Sequence, residues 1–476
     1  MKMPISESVT KETSPRVRPG TGLLEGALAR ACEPVGIRFL IQLRILLGLV
    51  LAYEVWLFFE HNLITRYFVE QKTHFTYLWF DWLPVLSPQA MHFHFIVLGI
   101  LALMVLIGFA YRLAISLFCF GFTYVFLLEK ARYMNHFYLI ILLCAVLAFM
   151  PAHAAWSADA VLRPSVRRRW CPAWMLWILR LQLGVVYFYA GLAKVTPDWL
   201  SGRVLGEMLE YKQHLPLVSW IVETPSMVLA ASWLAMLFDI LIVPLLLWKR
   251  TRIAAFVMMA IFHACNTVLF KIDVFPVLMA GATLILFLPQ PADLRDTTDR
   301  DASDLKTSKF ALTMGGAYAL LQVLIPLRHL AYPGDAAWTD EGQTFAWRML
   351  MRVKTGTVPR FPVRYSLDGT VYEAEVPIPQ DPDFWAHHWQ ARKMLIDPDL
   401  ILQFVHQQAE KLKAQGAEDL DIRAIVPVSL NGRPPQLLID PDVNLANEVR
   451  SLRPKKWITT VRQSAQNGEG GSSPNP

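Results

Sequence analysis

The stretch Trp174–Trp199, WMLWILRLQLGVVYFYAGLAKVTPDW, decides the architecture. From Trp174 to Lys194 it is apolar apart from Arg180 and Gln182. At roughly 17–25 residues such a run crosses a bilayer as a helix. Thr196-Pro197-Asp198 then breaks the helix, so Lys194 closes the span. An amine at that depth is partly desolvated, which disfavours its charged form and lowers its pKa toward neutrality. A neutral lysine is a competent general base. The competing reading is an anchor whose ammonium snorkels to the headgroups.

Working outward, the rest of the chain repeats this pattern. Of 476 residues, 54% are hydrophobic and only 18% charged, with mean hydropathy +0.34, against about 25% charged in soluble proteins. One soluble globule is therefore excluded. Nine candidate spans start near Phe39, His94, Leu113, Asn135, Trp174, Met227, Ile253, Phe275 and Phe310, the eighth short enough to be re-entrant. No apolar signal-peptide core occurs in residues 1–34, which read as a cytoplasmic tail. The formal charge of +6 orients the chain rather than pointing to nucleic acid. Arg112, then Arg163 with Arg167–Arg169, then Lys249, Arg250 and Arg252 fall on every second loop, with the N-terminus cytoplasmic. Nine crossings put the region after residue 330 outside the cytoplasm. The five cysteines are scattered, none beyond Cys265, and supply neither a disulfide framework nor a CxxC site.

Residues 331–460 have the composition of a small α+β or β-sandwich domain. VRYSLDGTVYEAEV (363–376) reads as a hairpin turning at Asp368-Gly369, and a second hairpin turns at Asn431-Gly432. Between them, Asp397–Gln415 has helical apolar spacing. Residues 461–476, ending QNGEGGSSPNP, form a polar tail without a core.

Ionisable and amide groups inside spans are costly and are candidates for function or for pairing between helices. They are Arg44, Glu54, Asn135, Arg180, Gln182, Asp239, His263 and Asn266. The aromatics Tyr187, Phe188, Tyr189 and Trp199 around Lys194 either flank a flat apolar ligand such as a quinone ring or form an interfacial belt. His136 belongs to the same leaflet as Lys194, whereas His153 lies past the opposite end of its span. The pairs His92/His94 and His387/His388 lack partners at ligand spacing, so no metal is expected. No P-loop, dinucleotide fingerprint or nucleophile elbow stands in a usable context.

An ordered set of segments resembles the vitamin K-dependent gamma-glutamyl carboxylase family, whose membrane part is the HTTM domain. The set runs RILLGLVLAYE (44–54), YRLAISLF (111–118), YVFLLEKARYMNHFYL (124–139), PAHAAWSAD (151–159), LRLQLGVVYFYAGLAKVTPDW (179–199), Asp239, FHACNTVLFKIDVFPVLM (262–279), WTDEGQTFAWRMLM (338–351) and VSLNGRPPQLLIDPDV (428–443). It covers nearly all of residues 35–455, and assigns 35–330 to the HTTM domain.

The resemblance implies an enzyme, a carbon–carbon lyase. Such enzymes oxidise reduced vitamin K with O2 and use the base so formed to take a γ-proton from protein glutamate, which then adds CO2. Products are γ-carboxyglutamate and vitamin K epoxide. The family's base falls on Lys194. Its second functional histidine falls nearest His153, displaced by one residue and with Ala152 where the family has Asn; His136 is carried as a further catalytic candidate. Tyr187, Tyr189, Trp199, His263 and Asn266 are the expected cofactor contacts, and Trp338, Thr339, Gly342, Phe345, Trp347 and Met349 the expected glutamate-binding segment. Expected partners are the lipid bilayer and a glutamate-containing protein or peptide. A bacterial inner membrane, with menaquinol as the lipid, suits the short basic N-terminus. An epoxidase without carboxylation, and a non-catalytic lipid- or peptide-binding membrane protein of the immunity type, are the alternatives.

Overall fold

A computed structural model describes residues 23–71, 73–270, 272–288, 308–380, 384 and 388–461. Residues 1–22 of the N-terminal tail, His387, and the tail from 462 lie outside the described residues. Among the described residues seven helices are long and apolar enough to span a membrane: α1 (Arg38–Glu60), α2 (Pro88–Ile107), α3 (Tyr111–Leu128), α5 (Ala173–Leu192), α6 (Pro225–Leu247), α7 (Arg252–Leu269) and α9, whose helical run Lys309–Leu327 continues as a turn to Ala331. The two other expected spans are short helices, α4 (Asn135–Ala148) and α8 (Phe275–Phe287). At 1.5 Å per residue each is about 20 Å long, less than the ~30 Å hydrocarbon core. They need not reach both surfaces, because protein surrounds them: α8 packs on α1, α5 and α7, and α4 on α3.

The bundle is built around α5, which packs on α6, α8 and α9. Gly191 makes the α5–α6 contact possible: a Cβ there would stand 2.6 Å from Ile240 Cγ1 and 3.0 Å from Asp239 Cβ. Without a side chain at Gly191 the backbones approach closely enough to bring Lys194 and Asp239 together.

Alternation of the helices has a visible consequence. The C-terminal domain touches the α1–α2 loop through Thr76, the α3–α4 turn through Lys130, and the segment after α5 through Asp198. It begins directly after α9. All these junctions lie on one side of the bundle. On the other side Arg44, fully buried in α1, donates to the carbonyls of Ala152, Val105, Leu106 and Trp156. Strands β1 (Pro34–Gly36) and β2 (Trp170–Pro172) pair on that side as well, so the end of the expected tail is a structured strand preceded by a helix, Leu23–Ala31.

Among the described residues the C-terminal domain holds two three-stranded antiparallel sheets. One joins β3 (Lys354–Gly356), β7 (Pro427–Leu430) and β8 (Gln436–Leu437) in the order β3-β7-β8. The other joins β4 (Pro362–Leu367), β5 (Thr370–Glu375) and β6 (Glu418–Ile422) in the order β5-β4-β6. The first expected hairpin is present with Leu367 opposite Thr370 and positive φ at Asp368 and Gly369; the second joins β7 to β8 through Asn431 and Gly432, also at positive φ. The expected helix is α10 (Pro398–Lys413), N-capped by the Asp397 side chain.

Candidate functional site

Lys194 and Asp239 form the centre of the site. Lys194 Nζ lies 2.7 Å from Asp239 Oδ2 and 3.1 Å from the Ala190 carbonyl, and both charged side chains are buried. The Trp199 ring backs the amine at 5.3 Å while its indole N–H donates to Ser232 O. The lysine therefore points inward and does not snorkel. A carboxylate from the neighbouring helix is within hydrogen-bond reach of the amine.

The pair opens onto a cavity of about 270 Å³. Along α5, Val186, Tyr187, Ala190 and Lys194 line it at helical spacing, and His263 and Asn266 enter from α7 in the same way. Tyr187 Oη bridges His263 Nε2 at 2.8 Å and Thr283 Oγ1 at 3.2 Å. His136 and Asn135, at the start of α4, form another wall. Among the described residues His136 Nε2 and His263 Nδ1 are buried without a hydrogen-bond partner, leaving polar atoms available to a ligand. Phe262, Phe275 and Met279 supply apolar surface.

The outer wall comes from the C-terminal domain: Arg348, Met349 and Leu350. Phe345, Trp347 and Leu350 hold φ of 62°, 56° and 47°, a left-handed conformation that is costly for bulky side chains. Anchors hold this loop in place. The Phe345 N–H donates to Tyr133 Oη, Phe345 packs on Tyr138, and Trp347 stacks on Tyr138 at 4.9 Å. Gly342, at φ 70°, lies so close to His329 that a Cβ would meet its Cα at 2.5 Å. Trp338 is buried with its indole N–H donated to Thr459 O, and the Thr339 hydroxyl accepts from the Glu341 N–H. Of the six residues expected in this segment only Met349 reaches the cavity, and the other five shape the loop that presents it.

A second basin of about 310 Å³ adjoins the cavity and shares Tyr133, Asn135, Arg348 and Leu350 with it. Its lining carries Lys130, Arg348, Arg352, Lys354 and Lys393 against Asp340 and Asp397, an excess of positive charge suited to a carboxylate. Burial pulls the Lys354 ammonium down to about 8, although Asp340 at 2.7 Å opposes the shift. Burial raises the Asp340 carboxyl, but Arg352 and Lys354 outweigh it and hold the group below its usual range.

Several expected residues stand elsewhere. His153 stacks on Tyr111 at 5.4 Å, beside the Arg44 network on the opposite side of the bundle, and does not line the cavity. Tyr189 turns away and donates to Val323 O on α9. Arg44 and Arg180 are bound by backbone carbonyls rather than by acidic partners, Arg180 Nε donating to Leu286 O. Carbonyls at helix ends and turns satisfy a guanidinium without bringing in a second buried charge. Gln182 accepts from Tyr318 Oη, and Glu54 is buried on α1 without an ion pair among the described residues. Arg348, Asp273, Tyr133 and the basic basin were not singled out from the sequence. Their only signal was the clustering of Arg348, Arg352 and Lys354 in one short segment.

The fold and site together define a class: a multi-pass membrane protein whose internal cavity is walled jointly by a helical bundle and an extramembrane domain. The model of the HTTM domain family matches residues 32–291, and that of the vitamin K-dependent gamma-carboxylase lumenal domain matches residues 307–464. The chain belongs to the vitamin K-dependent gamma-carboxylase family, with its C-terminal domain on the non-cytoplasmic side. No solved structure matches it.

Proposed function

We propose that the protein oxidises a vitamin K-type naphthoquinol with O2 and couples this to γ-carboxylation of protein glutamate, with the quinol ring in the Lys194 cavity. The buried Lys194–Asp239 pair opening onto a partly enclosed, mostly apolar cavity carries the reading. The lining suits a flat bicyclic ring: apolar side walls, and hydrogen-bonding groups at Lys194, His136 and His263. The volume is close to the lower end of small-molecule pockets, about 300 Å³.

Reduced vitamin K, when bound, supplies with O2 the strong base that the glutamate step requires. Lys194 is the group placed to accept a proton from a ring hydroxyl. Asp239 orients the amine and pairs with the ammonium that the transfer creates, which favours proton uptake by Lys194 in a low-dielectric site. His136, rather than His153, is the imidazole positioned to exchange a proton at the cavity. The apolar walls and the loop bearing Met349 exclude water, which would otherwise quench a glutamate carbanion. The basic basin receives the glutamate side chain, and Arg348 stands where basin and cavity meet. One quinol, O2, CO2 and glutamate balance against the epoxide, water, γ-carboxyglutamate and a released proton.

The test supplies the full chain in nanodiscs with reduced vitamin K, O2, labelled bicarbonate and a glutamate-containing peptide. Wild type should form epoxide and labelled peptide, and Lys194→Ala neither. Epoxide without label would establish the epoxidase alone, and no product above the Lys194→Ala background would overturn the proposal. The same assay in membranes of a bacterial host with menaquinol tests the expected lipid and location.

A further inference from the structure

A second surface, outside the cavity lining, carries chemistry that the carboxylase reading does not use. The loop joining α1 to α2 exposes Trp79 and Trp82, which are 69% and 72% accessible. Trp79 is held at φ 70°, a costly conformation for an indole, and gains no burial from it. Between the two, the Asp81 carboxylate accepts from Arg450 Nη1 at 2.9 Å. This contact brings up a loop of the C-terminal domain, residues 449–456, on which Val449 and Leu452 are 77% and 60% exposed.

That loop is pinned at both ends. Arg450 is fixed to Asp81, Asp399 and Thr76 O, and Lys455 to Glu341. Its apolar tip is exposed to solvent, as are two cations, Arg453 and Lys456, that have no ion pair among the described residues. The level of this face is set by the spans. Tyr124 near the end of α3 donates to Pro84 O at 2.7 Å, and Tyr332, just past α9, donates to Leu452 O at 2.9 Å. Indoles at the ends of spans mark a membrane–water interface on either side of the bilayer, and cations beside them are within reach of lipid phosphate.

We propose that Trp79, Trp82, Val449 and Leu452, with Arg453 and Lys456, seat the C-terminal domain in the anionic headgroup layer of the non-cytoplasmic leaflet. Apolar tips enter the interface and the two free cations bind lipid phosphate. Because Lys455 on the same loop holds Glu341, lipid contact also steadies the segment that walls the cavity.

The test places a nitroxide at Leu452→Cys in full-length protein carrying Cys32→Ser and Cys265→Ser, reconstituted in nanodiscs of phosphatidylglycerol or phosphatidylcholine. In phosphatidylglycerol the label should be more accessible to O2 than to a water-soluble nickel complex, while a label at exposed Asp442 stays water-accessible. Arg453→Glu with Lys456→Glu should weaken the interfacial population roughly 30-fold and remove the preference for the anionic lipid. Water-like accessibility at position 452 in both lipids would overturn the proposal. So would equal immersion in both lipids that is unchanged by the charge reversals, which would eliminate the headgroup contact.

Discussion

Lys194 on α5 and Asp239 on α6 meet at 2.7 Å inside the bundle, each buried, at the point where Gly191 lets the two helices touch. The relationship joins stability to chemistry, because among the described residues each charge has the other as its ion-pair partner. Lys194→Met should abolish product formation and also cost roughly 3–5 kcal/mol by leaving a buried carboxylate unpaired. Lys194→Met combined with Asp239→Leu should recover most of the stability and none of the activity. Unfolding in detergent alongside epoxide assays separates the two effects.

Widening the helix contact should act on the same pair without removing either member. Gly191→Val places branched atoms against Ile240, and overpacking of this kind costs about 1–3 kcal/mol. Activity should fall further than stability explains, because the Lys194–Asp239 distance lengthens. The Tm and kcat of this variant compared with those of Gly184→Ala, where a Cβ would meet Val243 only at an ordinary 3.7 Å, provide the check.

The two histidines should separate cleanly. His136→Ala removes an unpartnered imidazole from the cavity and should lower kcat by about 10²-fold or more, the usual size of a general acid–base contribution. His153→Ala lies across the bundle and should leave kcat within a few-fold of wild type. A strong loss at His153 with none at His136 would reverse the assignment.

Peptide binding should depend on pH through the basin. Lys354 loses its charge near 8, so KM for an acidic peptide should rise as pH passes about 8, and Lys354→Arg should flatten the profile. Folding responds in the opposite sense. The lysine pKa is lower in the folded state than the ~10.4 of the unfolded chain, so its contribution to stability grows between about pH 8 and 10. Rising KM with undiminished stability distinguishes lost binding from unfolding.

Docking of the C-terminal domain should weaken in acid. Arg433 donates to both oxygens of Asp198, Asn431 adds a bond at 2.7 Å, and these contacts hold the Asp198 carboxyl below its usual range against the opposing effect of burial. The stabilisation is complete above the unfolded value of about 3.9 and is lost as pH falls through the lower folded one. Arg433→Met should remove on the order of 1 kcal/mol of docking and its acid dependence, read by protease sensitivity between the domains.

The spans, their approximate ends, both hairpin turns, α10 and the polar candidates were legible because each rests on local patterning: apolar run length, turn chemistry and helical spacing. Lys194 stood out for the same reason, as a charge inside an apolar run. What the sequence could not determine is which of those polar groups meet. Asp239 lies 45 residues from Lys194, and Met349 and Arg348 come from another domain, so their convergence depends on helix packing and domain docking. Tertiary structure likewise turned Tyr189 away, put His153 across the bundle, satisfied Arg44 with carbonyls, and let two short helices sit inside the bundle. Local physics wrote the elements, while long-range packing, which has no short-range signature, selected the site.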